Sequence, residues 1–306
     1  MKFSITIPAY KSKYMKECIE SILAQTYEDF ELIIIDDHSP EDIKSIVEQF
    51  NDKRICYIRN EKNCGAIDVV DNWNKCLSHA NGEWIICIGD DDKLLPNCLK
   101  EYNQLIETHP NVNVVHGWTE IIDENSNFKS VTASRIEFES VYSFIWHRWE
   151  NRHHQYIGDF AFRTNKLRER GGFYKLPLAW ASDDISAAIM ADKQGIANTQ
   201  SVVFQYRESS ITISSTGNNK LKMKAIMQEE LWYSKFLYEK PLGEIDLKFW
   251  ITLKKEFNRY FLKKKAFYIT FDIKENVKNI LFWLRRRKEY NLSLKLIIYS
   301  WIMSLK

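Results

Sequence analysis

Between Trp84 and Pro96 the chain reads WIICIGDDDKLLP, so that Asp90, Asp91 and Asp92 stand side by side with no basic residue among them. Three adjacent carboxylates repel one another unless water, a capped backbone or a cation takes up their charge. Hard oxygen donors at the end of a strand select Mg²⁺ or Mn²⁺, whose coordination is usually completed by substrate phosphates and water. The same acids also suit a solvated turn before the helix that follows Pro96, because negative charge favours the positive end of a helix. The glycine and glutamate spacing of an EF-hand is absent. A second acidic pair, Asp183 and Asp184, follows Ser182. It reads as the first turn of a helix that the serine caps, where acids complement the positive end. Two more acids, Asp36 and Asp37, close the apolar run FELIIIDD. His38, His153 and His154 show no H-E-x-x-H or comparable metal spacing, and the pair His153 and His154 beside Arg152 suits a loop surface or the wall of a binding site. Tyr206 and Arg207 lie in FQYRESS, where the arginine suits a phosphate contact or a surface salt bridge equally.

These residues need elements to hold them. Phe3 to Pro8 alternates like a short strand, and Ser12 is placed to cap a helix with Met15, Cys18, Ile19, Ile22 and Leu23 on one face. FELIIIDD has the near-continuous hydrophobicity of a strand covered on both faces. A helix over Ile43, Ile46, Val47 and Phe50, a strand at RICYIR, a helix over 68–79 and the strand WIICI follow. That alternation predicts a parallel sheet with helices on both faces, with ligands beyond the carboxyl ends of the strands. Tyr10, Asp36, Asp37 and Asp90 to Asp92 all fall at those ends. From about 112 the pattern changes to shorter strands at NVNVVHGW and YIGDFAFR, a turn at DENSN, a helix over 138–148, the pair Gly171 and Gly172, and a helix from Ser182. After 217 nearly everything reads as helix. The prediction is an α/β domain with a mixed sheet followed by a helical C-terminal subdomain.

At 306 residues, 45% hydrophobic and 14% aromatic, the chain can bury a sizeable core, and its ten glycines and six prolines mark no linker or low-complexity tract. The six cysteines all lie in the first hundred residues without a C-x-x-C pair, which suits buried free thiols of a reducing cytosol. MKFSITIPAY is too short and strand-like for a signal peptide, so a cytoplasmic protein is expected. Charge is uneven: residues 240–306 hold sixteen Lys and Arg against six Asp and Glu, whereas the rest holds twenty-seven against thirty-five. FLKKKAFYITF, LFWLRRRKEY and LSLKLIIYSWIMSLK interleave those bases with apolar side chains, as interfacial helices do. Peripheral contact with an anionic membrane through 240–306, on the inner face of the cell membrane, is one reading. Packing onto the preceding α/β domain or a dimer contact is the other. No nucleic-acid motif accompanies the basic tail, and no G-x-x-x-x-G-K-[ST] loop or glycine-rich turn follows the first strand.

IIIDDHSPED at 33–42, NEKNCGA at 60–66, NGEWIICIGDDDKLLP at 81–96, RERGGFY at 168–174 and ASDDI at 181–185 follow SITIPAYKSKYMKECIESILAQTYEDFEL in that order. In this arrangement roughly residues 1–215 resemble the family 2 glycosyltransferases of the GT-A fold. The resemblance implies a catalytic domain over 1–217, with a nucleotide-binding half at about 1–110 and an acceptor half at about 111–217, ahead of a helical basic region at 218–306. It also implies inverting transfer of a sugar from a nucleotide-sugar, by default a UDP-sugar, to a glycan or lipid-linked acceptor in cell-surface polysaccharide synthesis, with Mn²⁺ or Mg²⁺. By motif match Pro8, Tyr10, Asp36, Asp37 and Asp90 belong to the nucleotide site, Asp91 and Asp92 to the metal, and Asp184 is the general base. Gly89 departs from the pattern, since that position is often aspartate. The rival readings are a nucleotidyltransferase or other metal-dependent phosphate-transferring α/β enzyme, and a catalytically silent GT-A-like binding module.

Overall fold

In the computed structural model, Phe3–Ala9 form strand β1 and all but Pro8 of these residues are buried, because β1 lies inside the sheet and helices pack on it. The structure describes residues 1–209 and 218–305; the expected boundary at 217, Ser210 of FQYRESS and the final lysine lie outside them. Helix α1 (Met15–Leu23) buries Met15, Cys18, Ile19 and Ile22 on one face. Ser12 does not cap it: its amide and hydroxyl both donate to Glu41 instead, and Tyr14 occupies the cap position without a side-chain bond. Then come β2 (Phe30–Asp36), α2 (Ile43–Val47), β3 (Ile55–Arg59), α3 (Val69–His79), β4 (Trp84–Cys87), β5 (Lys93–Leu94) and α4 (Cys98–Thr108). Helix α2 stops before Phe50, and Asp42 rather than a strand-end aspartate caps it, accepting from the Ser45 amide at 3.1 Å.

The second half holds β6 (Val114–Ile122), β7 (Phe128–Val131), β8 (Phe138–Glu139), α5 (Val141–Trp149), β9 (Phe160–Arg163), α6 (Thr164–Glu169), α7 (Ser182–Ala191) and β10 (Ile196–Arg207). The helix read over 138–148 starts three residues later, because Ser140 caps it and Phe138–Glu139 pair with β10. Of YIGDFAFR only the last four residues form a strand, since Ile157–Asp159 turn as a 3-10 helix. One mixed sheet results, in the order β3-β2-β1-β4-β9-β6-β10-β5, with β7 on β6 and β8 on β10. β1, β2, β3 and β4 run parallel, and β9 enters antiparallel to β4 and β6. Cys18, Cys76, Cys87 and Cys98 are buried free thiols, Cys64 is half-buried, and Cys56 is exposed on β3.

The described residues fall into two units, 1–175 with 182–209 and 176–181 with 218–305. The second holds α8 (Asn219–Phe236), α9 (Glu244–Glu275), α10 (Asn279–Arg286) and α11 (Leu294–Ser304). It has its own core, in which Met223, Ile269, Ile273, Trp283 and Ile297 pack together. Inside that core the Trp283 indole donates to Asp272 at 2.8 Å, which leaves no stranded polar group on the largest side chain. Among the described residues no helix is long and apolar enough to cross a membrane.

Candidate active site

Parallel register sets the site. Ala9 lies opposite Asp36 and Asp36 opposite Arg59, so Tyr10, Asp37 and Asn60 leave three neighbouring strand ends together. Asp36 is fully buried and accepts from the Ser39 amide at 2.7 Å, the Tyr57 hydroxyl at 2.6 Å and the Arg59 guanidinium. Burial and the Asp36 charge push the Tyr57 phenol up to about 12. The Asp37 carboxylate accepts from Asn60 Nδ2 at 2.7 Å and from the Cys64 amide at 3.0 Å, which fastens the NEKNCGA loop to the end of β2. Tyr10 is 43% exposed and Pro8 half-buried at the end of β1. His38, with a φ of 52°, turns its Nδ1 to the Asn60 carbonyl, as a loop residue does.

The acid triplet follows β4. Asp90 Oδ2 accepts from the amides of Tyr10 and Lys11, both at 2.7 Å, and so ties the triplet to the loop after β1. Asp92 Oδ1 accepts from the Arg207 amide at 2.9 Å. Arg207 is neither a surface salt bridge nor a solvent-facing phosphate ligand, because its side chain is fully buried. Its Nε donates to the Asp91 carbonyl at 2.8 Å, Nη1 to the Asp123 carbonyl at 3.2 Å and Ser126 Oγ at 2.9 Å, and Nη2 to Glu17 at 3.0 Å. The Tyr14 ring covers the guanidinium at 4.2 Å. Gly89 explains its own departure from the resemblance: a Cβ there would sit 3.0 Å from both Asp91 Oδ1 and Asp92 Oδ2. Without one, the two carboxylates converge over the glycine.

Burial, reinforced by the Asp91 charge, pushes Asp90 up to about 6 and Asp92 well above the usual carboxylate range; burial also raises Asp91. Buried acids that hold their protons this tightly are stabilised by a nearby cation. An all-carboxylate donor set with two oxygens converging on one face fits a hard dication such as Mg²⁺ or Mn²⁺.

Asp184 lies in the first turn of α7 and is 2% exposed. Arg148 Nε bonds both of its oxygens at 3.1 Å, and Gln155 Nε2 donates to Oδ1. Gln155 is held in turn by Arg135, which donates to its Oε1 at 2.6 Å and to Glu139 at 3.1 Å. Glu139, Arg135, Gln155 and Asp184 therefore form a continuous chain of hydrogen bonds. Neighbouring Asp183 is pushed up to about 8 by burial and by the Asp184 charge. His153 and His154 are half-buried rather than loop surface, and burial lowers both, His153 to about 3. The donor atoms of Glu139, His147 and His153 lie within 4.8 Å of one another, but Arg135 already neutralises that glutamate.

Arg135, Glu139, Arg148 and Gln155 carry no motif, and the fold alone brings them to Asp184. One trace was readable: Arg148 ends an otherwise largely apolar helix, VYSFIWHRW, where a basic residue has no core to fill. The two acid sites are physically connected. Tyr156, next to Gln155, stacks on Tyr206, next to Arg207, with ring centroids 3.7 Å apart and planes 13° from parallel.

The sequence profile of glycosyl transferase family 2 matches residues 4–175. An uncharacterised glycosyltransferase of Methanocaldococcus jannaschii is 31% identical over 149 residues, which cover 47% of this chain and 50% of that protein. The Escherichia coli UDP-Glc:alpha-D-GlcNAc-diphosphoundecaprenol beta-1,3-glucosyltransferase WfgD is 32% identical over 140 residues, covering 45% and 54%. The chain spans about half the length of the curated relatives it matches, or less. Among solved structures, S. aureus TarS 1-349 in complex with UDP-GlcNAc shares the fold with a TM-score of 0.64 and 17% identity, covering 88% of this chain and 81% of that one. With more than half of its length matched by the profile, and with the GT-A fold, the chain belongs to glycosyl transferase family 2.

Proposed function

We propose that the protein is an inverting glycosyltransferase that moves a sugar from a nucleoside diphosphate donor, a UDP-sugar, to a hydroxyl of a glycan or lipid-linked acceptor in cell-surface polysaccharide synthesis. The observation that carries this reading is the pairing of two separately built acid sites in one domain, joined by the Tyr156–Tyr206 stack. One suits the leaving diphosphate and the other the incoming hydroxyl. The donor class is supported by the UDP-GlcNAc bound to TarS and the acceptor class by the diphosphoundecaprenol-linked substrate in the name of WfgD.

In this reading Asp37, backed by the Asp36–Arg59 pair, receives the nucleobase beside Pro8 and the exposed Tyr10 ring. Asp90 holds the Tyr10–Lys11 main chain in place beneath the donor. Asp91, with the second oxygen of Asp92, would hold Mn²⁺ or Mg²⁺, which supplies Lewis-acid stabilisation of charge on the departing diphosphate. Asp184, oriented by Arg148 and Gln155, takes the proton of the acceptor hydroxyl as it attacks the anomeric carbon opposite the leaving group, and that geometry inverts the configuration. Incubation with UDP-sugars and Mn²⁺ tests the proposal through its products. UDP with an inverted glycoside, or UDP with free sugar by slow hydrolysis, supports it. Pyrophosphate as product would make the protein a nucleotidyltransferase, and binding without turnover would make it a silent module.

A further inference from the structure

We infer that the helical unit docks on an anionic lipid surface through the outer faces of α9 and α11, which lie on the membrane without crossing it. Between Leu294 and Leu305 the only polar side chains are Lys295, Ser300 and Ser304 together with the Tyr299 hydroxyl. A helix this apolar is normally covered on all sides, yet only Leu296, Ile297 and Ser300 are buried. Leu294, Ile298, Trp301, Ile302 and Leu305 are 40–70% exposed. At ~100° per residue they fall within an arc of about 100°, so they form one stripe. None of them belongs to the unit's core, to which α11 contributes Leu296 and Ile297 from its opposite face.

Helix α9 carries an exposed stripe of its own. Phe267 and Phe271 are exposed and stack on each other, and Lys263 and Lys274 are exposed on the same side, all four within an arc of about 80°. The helices are held side by side where Ser300 Oγ donates to the Ala266 carbonyl and Thr270 Oγ1 to the Ser300 carbonyl, both at 3.3 Å. Apolar side chains flanked by long cations suit the boundary between acyl chains and headgroups, where lysine stems lie along the apolar layer and their charges reach the phosphates. The eleven residues of α11 rise only about 17 Å, against the ~30 Å of a hydrocarbon core.

Charge selects lipid over a second copy of the chain. Residues 240–306 hold sixteen basic against six acidic residues, and three of those acids, Glu244, Glu256 and Glu289, already pair with a neighbouring base. A twofold contact through the same stripes would set the lysines of one copy against those of the other. Anionic headgroups instead attract each surface cation, by about fivefold apiece.

The test is co-sedimentation of the full chain with vesicles of phosphatidylcholine alone and of phosphatidylcholine mixed with phosphatidylglycerol, at low and high salt. Binding is expected on the mixed vesicles, weakened by salt and weaker still on phosphatidylcholine. The exposed-site double variant Trp301→Ser with Ile302→Ser should lower the bound fraction's partition coefficient roughly tenfold. Lys263→Gln with Lys274→Gln should do so on mixed vesicles only, roughly 25-fold. Both variants should keep the wild-type far-UV spectrum and UDP-sugar turnover, so failure here is separable from failure of the glycosyltransferase reading. A chain that stays in the supernatant at low salt, or a serine variant that binds like wild type, overturns the inference. So does light scattering that shows a wild-type dimer dissociated by the serine substitutions, which would assign the stripe to a second copy.

Discussion

Arg207 is the residue on which the acid triplet rests, and replacing it should disable the proposed metal site without touching a proposed ligand. In Arg207→Met the main-chain bond to Asp92 survives, but the Asp91 carbonyl, the Asp123 carbonyl and Ser126 Oγ lose a charged donor. Hydrogen bonds to charged groups contribute about 1.5–3 kcal/mol each when buried. Water reaches the 123–126 turn and replaces part of that loss. The ion pair with Glu17 adds little, because that side chain is 43% exposed and solvent screens it. The total is a loss of about 3–4 kcal/mol. Arg207→Lys should lose roughly half as much, since an ammonium keeps the charge but cannot span Glu17, the Asp91 carbonyl and the turn together. Urea unfolding gives the stabilities, and calorimetry with UDP in the presence and absence of Mn²⁺ gives the consequence for the site. Metal-dependent affinity should fall in both variants under conditions where the fold is intact. If Arg207→Lys unfolds within about 0.5 kcal/mol of wild type and binds UDP with Mn²⁺ as tightly, the strut assigned to this residue does not exist.

Asp184→Asn keeps the shape and the bond from Gln155 but cannot take a proton, so transfer should fall roughly 10²–10⁴-fold while donor affinity holds; near wild-type turnover, or a product that retains the donor's anomeric configuration, contradicts the mechanism. Asp91→Asn should weaken Mn²⁺-dependent UDP binding with the melting temperature little changed, and calorimetry that shows the metal effect undiminished removes Asp91 as a ligand. Asp183 titrates at about 8 in the folded chain against 3.8 when unfolded, so the folded state holds the extra proton and stability from this group is lost as pH rises from about 4 to about 8. Asp183→Asn should therefore gain stability relative to wild type as pH is raised across that window, and melting curves at pH 5 and pH 8 that shift in parallel would disprove it.

The first four strands and their helices were legible because each of these elements is announced locally. FELIIIDD has to be a covered strand, the helical spacing from Met15 to Leu23 has to lie on it, and once the first four strands are parallel the acids at their ends must meet. Ser12 misled because a capping serine and a serine that anchors a loop through Glu41 look identical in sequence. The surroundings of Asp184 were illegible for a different reason. Arg135, Glu139, Arg148 and Gln155 come from a β8 approach, a helix and a loop, and they meet only because β8 pairs with β10 and α5 packs near α7. Arg207 was misjudged because an arginine before two serines reads as surface, whereas its strand delivers it beneath the β4 loop, where backbone carbonyls replace water as acceptors.

Three aspartates in a row therefore do three different things, and the bonds they make explain why one would not suffice. Asp90 spends an oxygen on the amides after β1, and Asp92 spends one on the last residue of β10. Those two attachments fix the loop from opposite sides, and Arg207 pins the carbonyl of the residue between them. Among the described residues none donates a hydrogen bond to the Asp91 carboxylate, which is the least buried of the three. Its position is thus determined entirely by its neighbours' bonds while its own oxygens stay available. An aspartate at 89 would crowd this arrangement, because its Cβ would lie 3.0 Å from Asp91 Oδ1 and from Asp92 Oδ2 and both carboxylates would have to shift by a few tenths of an ångström. Glycine at that position leaves the space above it to two carboxylates, and burial raises the proton affinity of both.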